Sequence, residues 1–561
     1  MPKFFSKIPT FVWILILIVP VFVQLIRPGY FWMQDDLQAF RLQQLDKCVK
    51  DLQLPCRWIP DMGYQYGYPQ FEFYSPSVFY IGELIHLVGF QFIDSIKILF
   101  ILGAILSAFF MYRLLADWLG GKEAFLGTVF YIYTPFRAVE MYVRGSLNEF
   151  WALVCFPLLF WSSMQLIKKK SFKYFLYFSL SLALMLTTHN LMTMIFLPVL
   201  SIWILYNLFL ERSWKIVVNV VSSGLLGVGL AAFFILPAFF EKQSVHIESL
   251  ISGYFDYRQH FVTFRELFFS NFFGYGSSEL GPKDGISLST GIIQWVVAVA
   301  AIFLAMFFWK KKKRMGILTL GLGLLELFIL FLNHEKSSFI WSILEPLKWL
   351  QFPWRFLAVS IFLLSLLSAL TINYLKEFKF TKYLIVGLIF ISIVMNLSFF
   401  TPFRWFDISD QDKFSGELWE KQLTISIFDY LPLSSTLPPN RKAPSEPELL
   451  DGAARFDFYK KGSNYQVGQF FASGAATLRL PIYDFSGMTA RLDGKVISHR
   501  NDDCRLEPFC FGLVTVNAPA GAHSISVKLE NTMLRNLSNI LSLASVMTLI
   551  FLGTKKRLFK L

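Results

Sequence analysis

TFVWILILIVPVFVQLI, residues 10–26, is the first of a series of apolar runs that decide the fold. It has no small-residue cleavage site and is followed by Arg27, Pro28 and Gly29, so we expect a retained first membrane span rather than a removed signal peptide. Similar runs recur along a chain of 561 residues that is 55% hydrophobic and contains 63 Phe. The sequence therefore predicts a mainly α-helical, polytopic membrane protein.

The positive charges lie in short clusters between the apolar runs, which is the pattern of membrane topology rather than of nucleic-acid binding. With Lys3 and Lys7 inside, every expected inside turn carries Lys or Arg, so both termini are expected to be cytoplasmic. The basic clusters are 168–173, 310–314, 376–382 and 555–560. About twelve spans are expected, at 10–26, 97–115, 123–139, 150–167, 174–188, 190–209, 216–236, 291–309, 315–332, 354–374, 383–400 and 537–553.

One apolar segment, residues 77–90, is left over, because counting it as a span would invert the topology of everything that follows. We expect it to be a helix that lies in or dips into the outer leaflet. The regions that then face outward are 27–96, 140–149, 237–290, 333–353 and 401–536.

Residues 401–536 differ from the rest because apolar residues alternate with polar ones, as in ATLRLPIYDF and GLVTVNAPAGAHSISVKLE. Asp493-Gly494 is a type I′ hairpin signal and APAG is a second turn. The sequence predicts an extracytoplasmic, β-rich domain, a sandwich of about five to eight strands. We therefore expect three parts in the chain: a transmembrane domain (1–400, with outer loops 27–96 and 237–290), the β-domain (401–536), and a last helix with a basic cytoplasmic tail (537–561).

The five cysteines agree with this topology. Cys48 and Cys56 share the first outer loop, Cys504 and Cys510 share the β-domain, and Cys155 lies inside a predicted span. Two local disulfides, Cys48–Cys56 and Cys504–Cys510, are expected in an oxidising compartment, the alternative being unpaired thiols that happen to face outward.

The stretch FWMQDDLQAF (31–40) sets two adjacent carboxylates, Asp35 and Asp36, shortly after the first span. Solvated loop residues would be the simplest interpretation. The expected topology, however, places four other polar stretches on the same face. They are CRWIPDMGYQYGYPQFEFYSP (56–76) with Arg57, Tyr68 and Glu72, EMYVRGSLNEF (140–150) with Arg144 and Glu149, TTHNL (187–191) with His189 and Asn190, and LQFPWRF (350–356) with Arg355.

Each of these has a structural alternative. Arg144 could form an ion pair with Glu140 or Glu149, His189 could be a packing residue, and Arg355 could anchor the start of a span at the interface. The aromatic residues of 56–76 could form an interfacial belt instead of covering sugar rings or lipid tails. Taken together, carboxylates suited to act as a base or hold a cation and arginines suited to a phosphate would share the outer face.

Other chemistry has little support in the sequence. It contains no Walker loop, no Gly-rich dinucleotide turn, no His or Cys cluster at zinc spacing, and no Gly-x-Ser-x-Gly elbow. Direct use of a nucleotide is therefore not expected, and neither is nucleic-acid binding.

The motifs RWIP, YGYP, FYSP, YVRGSLNE, THN, QFPWRF, DYLP, LDGK and APAGAHSISV occur in order over nearly the whole chain. In this the sequence resembles bacterial membrane proteins called 6-pyruvoyl-tetrahydropterin synthase-related, and the broader YfhO-like group. A pterin synthase needs a three-histidine zinc site, and no His-x-His occurs here. Both groups look like members of the GT-C superfamily of polytopic glycosyltransferases, so the resemblance implies a GT-C-like domain over residues 1–400.

The resemblance also implies a chemistry: transfer of a sugar from a polyprenyl-phosphate-linked donor to a glycan, lipid or protein acceptor, at the outer face of the bacterial cytoplasmic membrane. Asp36, with Asp35 beside it, would be the catalytic carboxylate, and Arg144 with Arg355 would neutralise the departing lipid phosphate. Glu149 would orient the acceptor, hold Arg144, or help Asp35 and Asp36 to bind a divalent cation. Substrate binding would extend to His189, Asn190, Arg57, Tyr68 and Glu72. The alternative is a non-catalytic membrane protein that binds or translocates lipid-linked glycans during envelope assembly.

Overall fold

A computed structural model describes residues 10–281 and 284–554 of the chain. Lys3, Lys7 and the basic cluster 555–560, on which part of the predicted topology rests, lie outside the described residues. The helices are α1 (Thr10–Phe22), α2 (Gln38–Lys50), α3 (Gln70–Phe73), α4 (Ser77–Leu87), α5 (Phe92–Trp118), α6 (Gly121–Ile132), α7 (Pro135–Ala138), α8 (Leu147–Lys169), α9 (Phe172–Thr188), α10 (Asn190–Glu211), α11 (Trp214–Phe240), α12 (Phe264–Phe269), α13 (Ile292–Phe307), α14 (Lys313–Asn333), α15 (Ser338–Ile343), α16 (Glu345–Lys348), α17 (Leu357–Leu375), α18 (Thr381–Asn396), α19 (Asp410–Lys413), α20 (Gly416–Gln422) and α21 (Met533–Thr554).

Long apolar helices indicate a membrane protein. Within the described residues, eight helices are long and apolar enough to cross a bilayer: α5, α8, α10, α11, α14, α17 with the turn before it, α18 with the turn after it, and α21. The segment 77–90 contains a helix, as predicted. This helix, α4, is one of the shorter apolar helices and is not among those long enough to cross a bilayer. Each of the twelve predicted spans overlaps a helix, three of the remaining four being the shorter apolar helices α1, α9 and α13.

The third predicted span, 123–139, corresponds to a helix that is shorter than its sequence suggested. Helix α6 ends at Ile132, because Pro135 has no amide hydrogen and its ring disfavours helical backbone at the preceding residue, Thr134, which is extended (φ −112°, ψ 140°). Pro135 then begins the short α7, and a π-helix at Val139–Val143 follows. The apolar run is thus broken close to the expected outer face.

Two helices form the centre of the membrane domain. The most apolar 18-residue window is 94% buried in α8 and 100% buried in α17, against 17% in the peripheral α21. Such helices are apolar on all sides because other helices surround them. Helix α8 packs on α5, α9 and α10, whereas α17 packs on α6, α13 and α14.

The segments that were predicted to face outward pack on this helical body. Strand β1 (Tyr30–Phe31) of the first outer loop pairs antiparallel with β2 (Trp405–Phe406), which follows α18. Helices α2 and α4 pack together over α5, and Gly82 of α4 allows a close approach, since a Cβ there would meet Leu99 Cδ1 at 2.9 Å. The first outer loop is therefore part of the core.

The β-domain consists of two antiparallel sheets packed face to face. One has five strands in the order β4 (Ala454–Lys461), β5 (Tyr465–Ala472), β10 (Gly521–Leu529), β7 (Met488–Leu492) and β8 (Lys495–Ile497); the other has three, β3 (Glu448–Asp451), β6 (Ala476–Tyr483) and β9 (Leu513–Ala518). The predicted hairpin is confirmed, with positive φ at both Asp493 (+51°) and Gly494 (+77°). The strands of these two sheets begin only at Glu448. Residues 401–447 carry β2, which pairs with β1, together with α19, α20 and a long connector.

Both predicted cysteine pairs are joined. Cys48 forms a disulfide with Cys56, and Cys504 with Cys510, while Cys155 is a free, buried thiol in α8. The first bridge links the end of α2 to the stretch that leads to Arg57.

Candidate functional site

A cavity of about 1040 Å³ is lined by the loops that were predicted to face outward and by residues at the ends of helices α8, α10 and α11. Six of the predicted site residues line it: Asp35, Arg144, Glu149, His189, Asn190 and Arg355. They come from the first outer loop, the turn before α8, the start of α8, the α9–α10 junction and the turn before α17. The structure therefore brings together residues up to 320 positions apart in the chain (355 minus 35).

The turn that carries Arg144 has an unusual backbone. It leaves the π-helix Val139–Val143, and such π-turns occur often at functional sites. Gly145 then adopts a left-handed conformation (φ +63°) and lies against Met33, whose Sδ would be 2.3 Å from an added Cβ. Glycine is required here both by the sign of φ and by the close packing.

The centre of the site is a cluster of two arginines around one carboxylate. Arg144 donates from Nη1 to Glu149 Oε2 (2.8 Å) and from Nη2 to Glu149 Oε1 (2.9 Å), and Arg355 Nε donates to the same Oε1 (3.1 Å). The Arg144 guanidinium also stacks 4.6 Å from the ring centre of Trp354. The Glu149 side chain is only 2% exposed, so its charge is held by these two cations.

Glu140 is a second carboxylate on Arg144, at 2.7 and 2.8 Å from Nη1 to its two oxygens. Burial raises the pKa of Glu140, and the neighbouring charge of Glu149 raises it further against the effect of Arg144. The predicted ion-pair alternatives are therefore both present, and Arg144 contacts Glu140 and Glu149 at once. With Glu140 tending towards its neutral form, Arg144 and Arg355 together carry more positive charge than Glu149 cancels.

His189 lies beside this cluster, at the cap of α10. Its Nδ1 accepts a hydrogen bond from the amide of Met192 (3.2 Å), and its Nε2 is 3.7 Å from Glu149 Oε1. Burial, opposed by Glu149, lowers the pKa of His189 to about 4. The imidazole is therefore neutral at neutral pH and carries its proton on Nε2, facing Glu149.

Asn190 and the stretch before α4 form one wall of the cavity. Asn190 Nδ2 donates to the carbonyl of Phe73 (3.3 Å), and its Oδ1 accepts from the Ser75 hydroxyl (3.2 Å). Asn148 Nδ2 donates to the carbonyl of Ser75 (2.9 Å). These amides fix the wall and connect it to α8 and α10.

Asp35 lies next to the Arg144 turn, where its amide donates to the carbonyl of Arg144. Its carboxylate accepts hydrogen bonds from Arg41 Nη1 (3.0 and 2.9 Å) and from Gln38 Nε2 (2.8 Å), and its side chain is 33% exposed. Arg41 stacks 4.3 Å from the ring centre of Tyr74. Most of the acceptor positions of the Asp35 carboxylate are thus engaged.

Asp36, the residue that the sequence favoured as catalytic base, is not among the residues that line the cavity. Its Oδ2 accepts from Lys413 Nζ (2.6 Å), a lysine of α19 whose side chain is 2% exposed. Burial raises the pKa of Asp36, against the effect of Lys413. The two neighbouring carboxylates therefore face different surroundings, and only Asp35 reaches the cavity.

Arg57, Glu72 and Tyr68 also lie elsewhere. Glu72 is buried between Arg57 (2.9 Å) and Arg535 at the start of α21 (3.1 Å). Tyr68 is buried under the connector, where its hydroxyl bonds to the backbone of residues 426–430. The structure does not bring these three side chains to the cavity wall.

Several cavity residues were missed by the sequence interpretation. Asp429 belongs to the DYLP motif, which was noted without a role, and Arg41 and Tyr74 lie close to predicted residues. Lys242 follows the end of α11, and its Nζ is 5.0 Å from the ring centre of Phe239 and 5.5 Å from that of Trp349. A lysine directly after a long apolar run was the available signal for the last of these.

The part of the cavity near Lys242 carries apolar side chains. Its walls come from α10, α11 and the segment after α15, and Phe239 is 63% exposed. The apolar side chains there are Leu191, Met194, Ile235, Ala238, Phe239 and Trp349.

A metal site is not formed by the predicted carboxylates. Across residues 10–281 and 284–554, no three side chains of His, Cys, Asp or Glu come together in a group that could hold a metal ion. Of the three candidates, Asp35 pairs with Arg41, Asp36 with Lys413, and Glu149 with two arginines.

No family model matches the chain. It is 24% identical over 225 residues to an uncharacterized protein of Lactococcus lactis subsp. cremoris (strain MG1363), a match that covers 38% of this chain and 35% of that relative. The chain thus matches about a third of the relative's length. Fold and site define a class, a helical membrane protein with a C-terminal β-domain and a cavity lined by charged and apolar side chains of its loops and helix ends.

Proposed function

We propose that the protein is a membrane glycosyltransferase that moves a sugar from a polyprenyl-phosphate-linked donor to an acceptor hydroxyl. The observation that carries the proposal is the lining of this cavity, which combines apolar side chains such as Phe239 and Trp349 with the arginine cluster and with carboxylates. These three kinds of lining suit the lipid tail, the phosphate and the sugar of a lipid-linked donor.

The donor would enter through the apolar end, with its first isoprene units against Phe239 and Trp349. Lys242 stands at that mouth without an ion-pair partner among the described residues, and it would meet the lipid phosphate first. Arg144 and Arg355 would stabilise the negative charge that develops on the phosphate as it leaves, because buried donors fixed in advance need little reorganisation.

The sugar would then lie between the arginine cluster and the carboxylate end. An acceptor hydroxyl would attack the anomeric carbon from the side opposite the phosphate, in a single displacement with inversion. Asp35, nominated by the sequence, and Asp429 both line the cavity, so a carboxylate is available to take the hydroxyl proton. Asp36 would support the first outer loop through Lys413 instead of reacting.

For location, we propose a multi-pass protein of the bacterial cytoplasmic membrane with about twelve spans. Both termini would be cytoplasmic, and the cavity and β-domain would face outward. The support is the distribution of basic residues between apolar runs together with the shared position of the cavity and the outer loops. The β-domain would bind the acceptor or cover the cavity.

The direct test uses the purified full-length protein in lipid nanodiscs. It would be supplied with synthetic polyprenyl-phosphate-linked glucose, galactose or mannose, and the release of polyprenyl phosphate would be followed with envelope glycan or water as acceptor. Turnover that is lost in Arg144→Gln would support the proposal. Tight donor binding with no turnover for any of the three sugars would overturn it.

One observation favours the second candidate, a non-catalytic protein that binds or translocates lipid-linked glycans. Neither carboxylate of the first outer loop is free in the cavity to accept a proton. Asp35 is engaged by Arg41 and Gln38, and Asp36, the predicted base, pairs with Lys413 and does not line the cavity. This candidate needs the cavity but no base, and it predicts donor binding without chemical change.

A further inference from the structure

We propose that Asp429, a residue of the connector before the β-domain, is the catalytic base of this site, and that Asp35 is a positioning residue that holds Arg41. The inference rests on the proposed function and assigns a residue within it. It removes the difficulty that Asp35 is already engaged.

Asp429 reaches the cavity on a loop with a defined backbone. The hydroxyl of Tyr68 accepts a hydrogen bond from the amide of Tyr430 (2.5 Å) and faces the carbonyls of Ser426 (3.1 Å) and Ile427 (3.2 Å). One buried phenol therefore fixes the backbone on both sides of Asp429. The first outer loop, which supplies Tyr68, thus positions a carboxylate that lies 361 residues further along the chain (429 minus 68).

The other side of this loop is held as well. The amide of His246 donates to the carbonyl of Leu431 (2.9 Å), and the amide of Leu433 donates to that of Ser244 (3.1 Å). The loop is thus pinned between the first outer loop and the segment after α11. A base needs such a fixed position, because a shift of about 1 Å is enough to lower the rate of proton transfer strongly.

The two carboxylates differ in how their oxygens are occupied. Both oxygens of Asp35 accept from Arg41, and Gln38 adds a third hydrogen bond. Asp429 forms no ion pair within the described part of the chain; its side chain interacts with Ser426, and Arg41 acts on it only from a longer distance. An acceptor hydroxyl would find a free oxygen on Asp429 and would have to displace a cation from Asp35.

The charges around Asp429 suit proton transfer near neutral pH. Burial raises the pKa of Asp429 to about 6, Arg41 opposes this, and the negative charge of Asp35 adds to it. The other titratable groups that face it are the phenols of Tyr68 and Tyr430, both of which stay protonated because burial raises their pKa. A base is most effective when its pKa lies close to the working pH.

In the step itself, the acceptor oxygen forms a bond to the anomeric carbon while the bond from that carbon to the phosphate oxygen breaks. The electron pair of the broken bond leaves with the lipid phosphate, next to Arg144 and Arg355. The hydroxyl proton passes to Asp429 and is later released to water, so the step needs no further reagent. Asp35 keeps Arg41 in place beside Asp429 throughout.

The test compares the wild type with Asp429→Asn, both in nanodiscs and both given the polyprenyl-phosphate-linked hexoses named above. We expect turnover to fall about 100-fold or more, the usual contribution of a general base. The Kd for polyprenyl phosphate, which lacks the sugar, should stay within twofold. In the wild type kcat/KM should rise as pH increases through about 6, since the base must be ionised, and in Asp429→Asn this rise should be absent.

Glu417→Gln is the matched control, because this glutamate of α20 is 82% exposed and pairs only with Lys421, within the part of the chain described. It should leave turnover and pH profile unchanged. Full turnover in Asp429→Asn, with the wild-type pH profile, would overturn the assignment while leaving the glycosyltransferase in place. A wild type that binds polyprenyl phosphate but transfers no sugar would overturn both. A variant that loses binding and turnover equally would make Asp429 a structural residue.

Discussion

The backbone amide of Asp35 donates a hydrogen bond of 2.9 Å to the carbonyl of Arg144. A carboxylate from the first outer loop and an arginine from the turn before α8 are thereby held in fixed register. The amide of Gln34 makes a parallel contact to the carbonyl of Val143, also at 2.9 Å. This short ladder is the connection between the carboxylate end and the arginine cluster of the cavity.

The ladder depends on Gly145, and its replacement is the first prediction. In Gly145→Ala the left-handed backbone costs about 1–2 kcal/mol, and the overlap with Met33 costs about 1–3 kcal/mol more. Thermal unfolding in detergent should show a lower Tm, and turnover should fall as Arg144 shifts. Gly253→Ala is the control, because Gly253 has nearly the same φ (+60°) but no heavy atom within 4 Å of an added Cβ. Equal decreases of Tm in Gly145→Ala and Gly253→Ala would mean that the packing of Met33 against Gly145 is unimportant.

Lys242 should govern the affinity for the lipid phosphate. Removing its charge in Lys242→Gln should raise the Kd for polyprenyl phosphate about 10-fold or more, since a hydrogen bond to a charged group is worth about 1.5–3 kcal/mol. The affinity of the wild type should also weaken with added salt more than that of the variant. Lys336→Gln, in the exposed turn after α14, is the control. An unchanged Kd in Lys242→Gln would remove this lysine from the donor path.

Glu72 should matter for stability and not for binding. In Glu72→Gln the buried cation of Arg57 loses its carboxylate partner, at a cost of about 3–5 kcal/mol, while Arg535 keeps its ion pair with Glu241. A large drop in Tm with an unchanged Kd for polyprenyl phosphate is expected. The opposite pattern, weaker binding at constant Tm, would restore Glu72 to the substrate-binding role that the sequence suggested.

The topology can be tested with single cysteines and a membrane-impermeant thiol reagent. Lys495→Cys, at the exposed hairpin of the β-domain, should react in intact cells, whereas Lys311→Cys, in the exposed turn between α13 and α14, should react only after permeabilisation. Labelling of the native cysteines should be low, because Cys155 is buried and the other four cysteines are in disulfides. Labelling of Lys311→Cys in intact cells would invert the proposed orientation.

Much of the helical framework could be predicted from apolar runs, because the cost of burying backbone in lipid makes such runs long and distinctive. The exception was 123–139, where Pro135 ends α6 early. The alternation of apolar residues likewise predicted the strands and the hairpin at Asp493. These features follow from local chemistry that a single sequence carries.

The site was only partly predictable, for a physical reason. Membrane topology placed Asp35, Arg144, Glu149, His189 and Arg355 on one face, and all of them line the cavity. Topology could not separate Asp35 from Asp36, because adjacent residues in an irregular turn have no periodicity that assigns them a side. Nor could it single out Asp429, whose position depends on contacts between segments that are distant in the sequence.

The ion pairs of Glu72 also set an order of events during synthesis. One of its two partners, Arg535, lies 463 residues further along the chain. The first outer loop is therefore synthesised long before Arg535, and Glu72 has only one of these two arginines, Arg57, as a partner until the last helix has been made. Complete locking of the first outer loop, and with it the positioning of Tyr68 and Asp35, is thus a late step in the biogenesis of this protein.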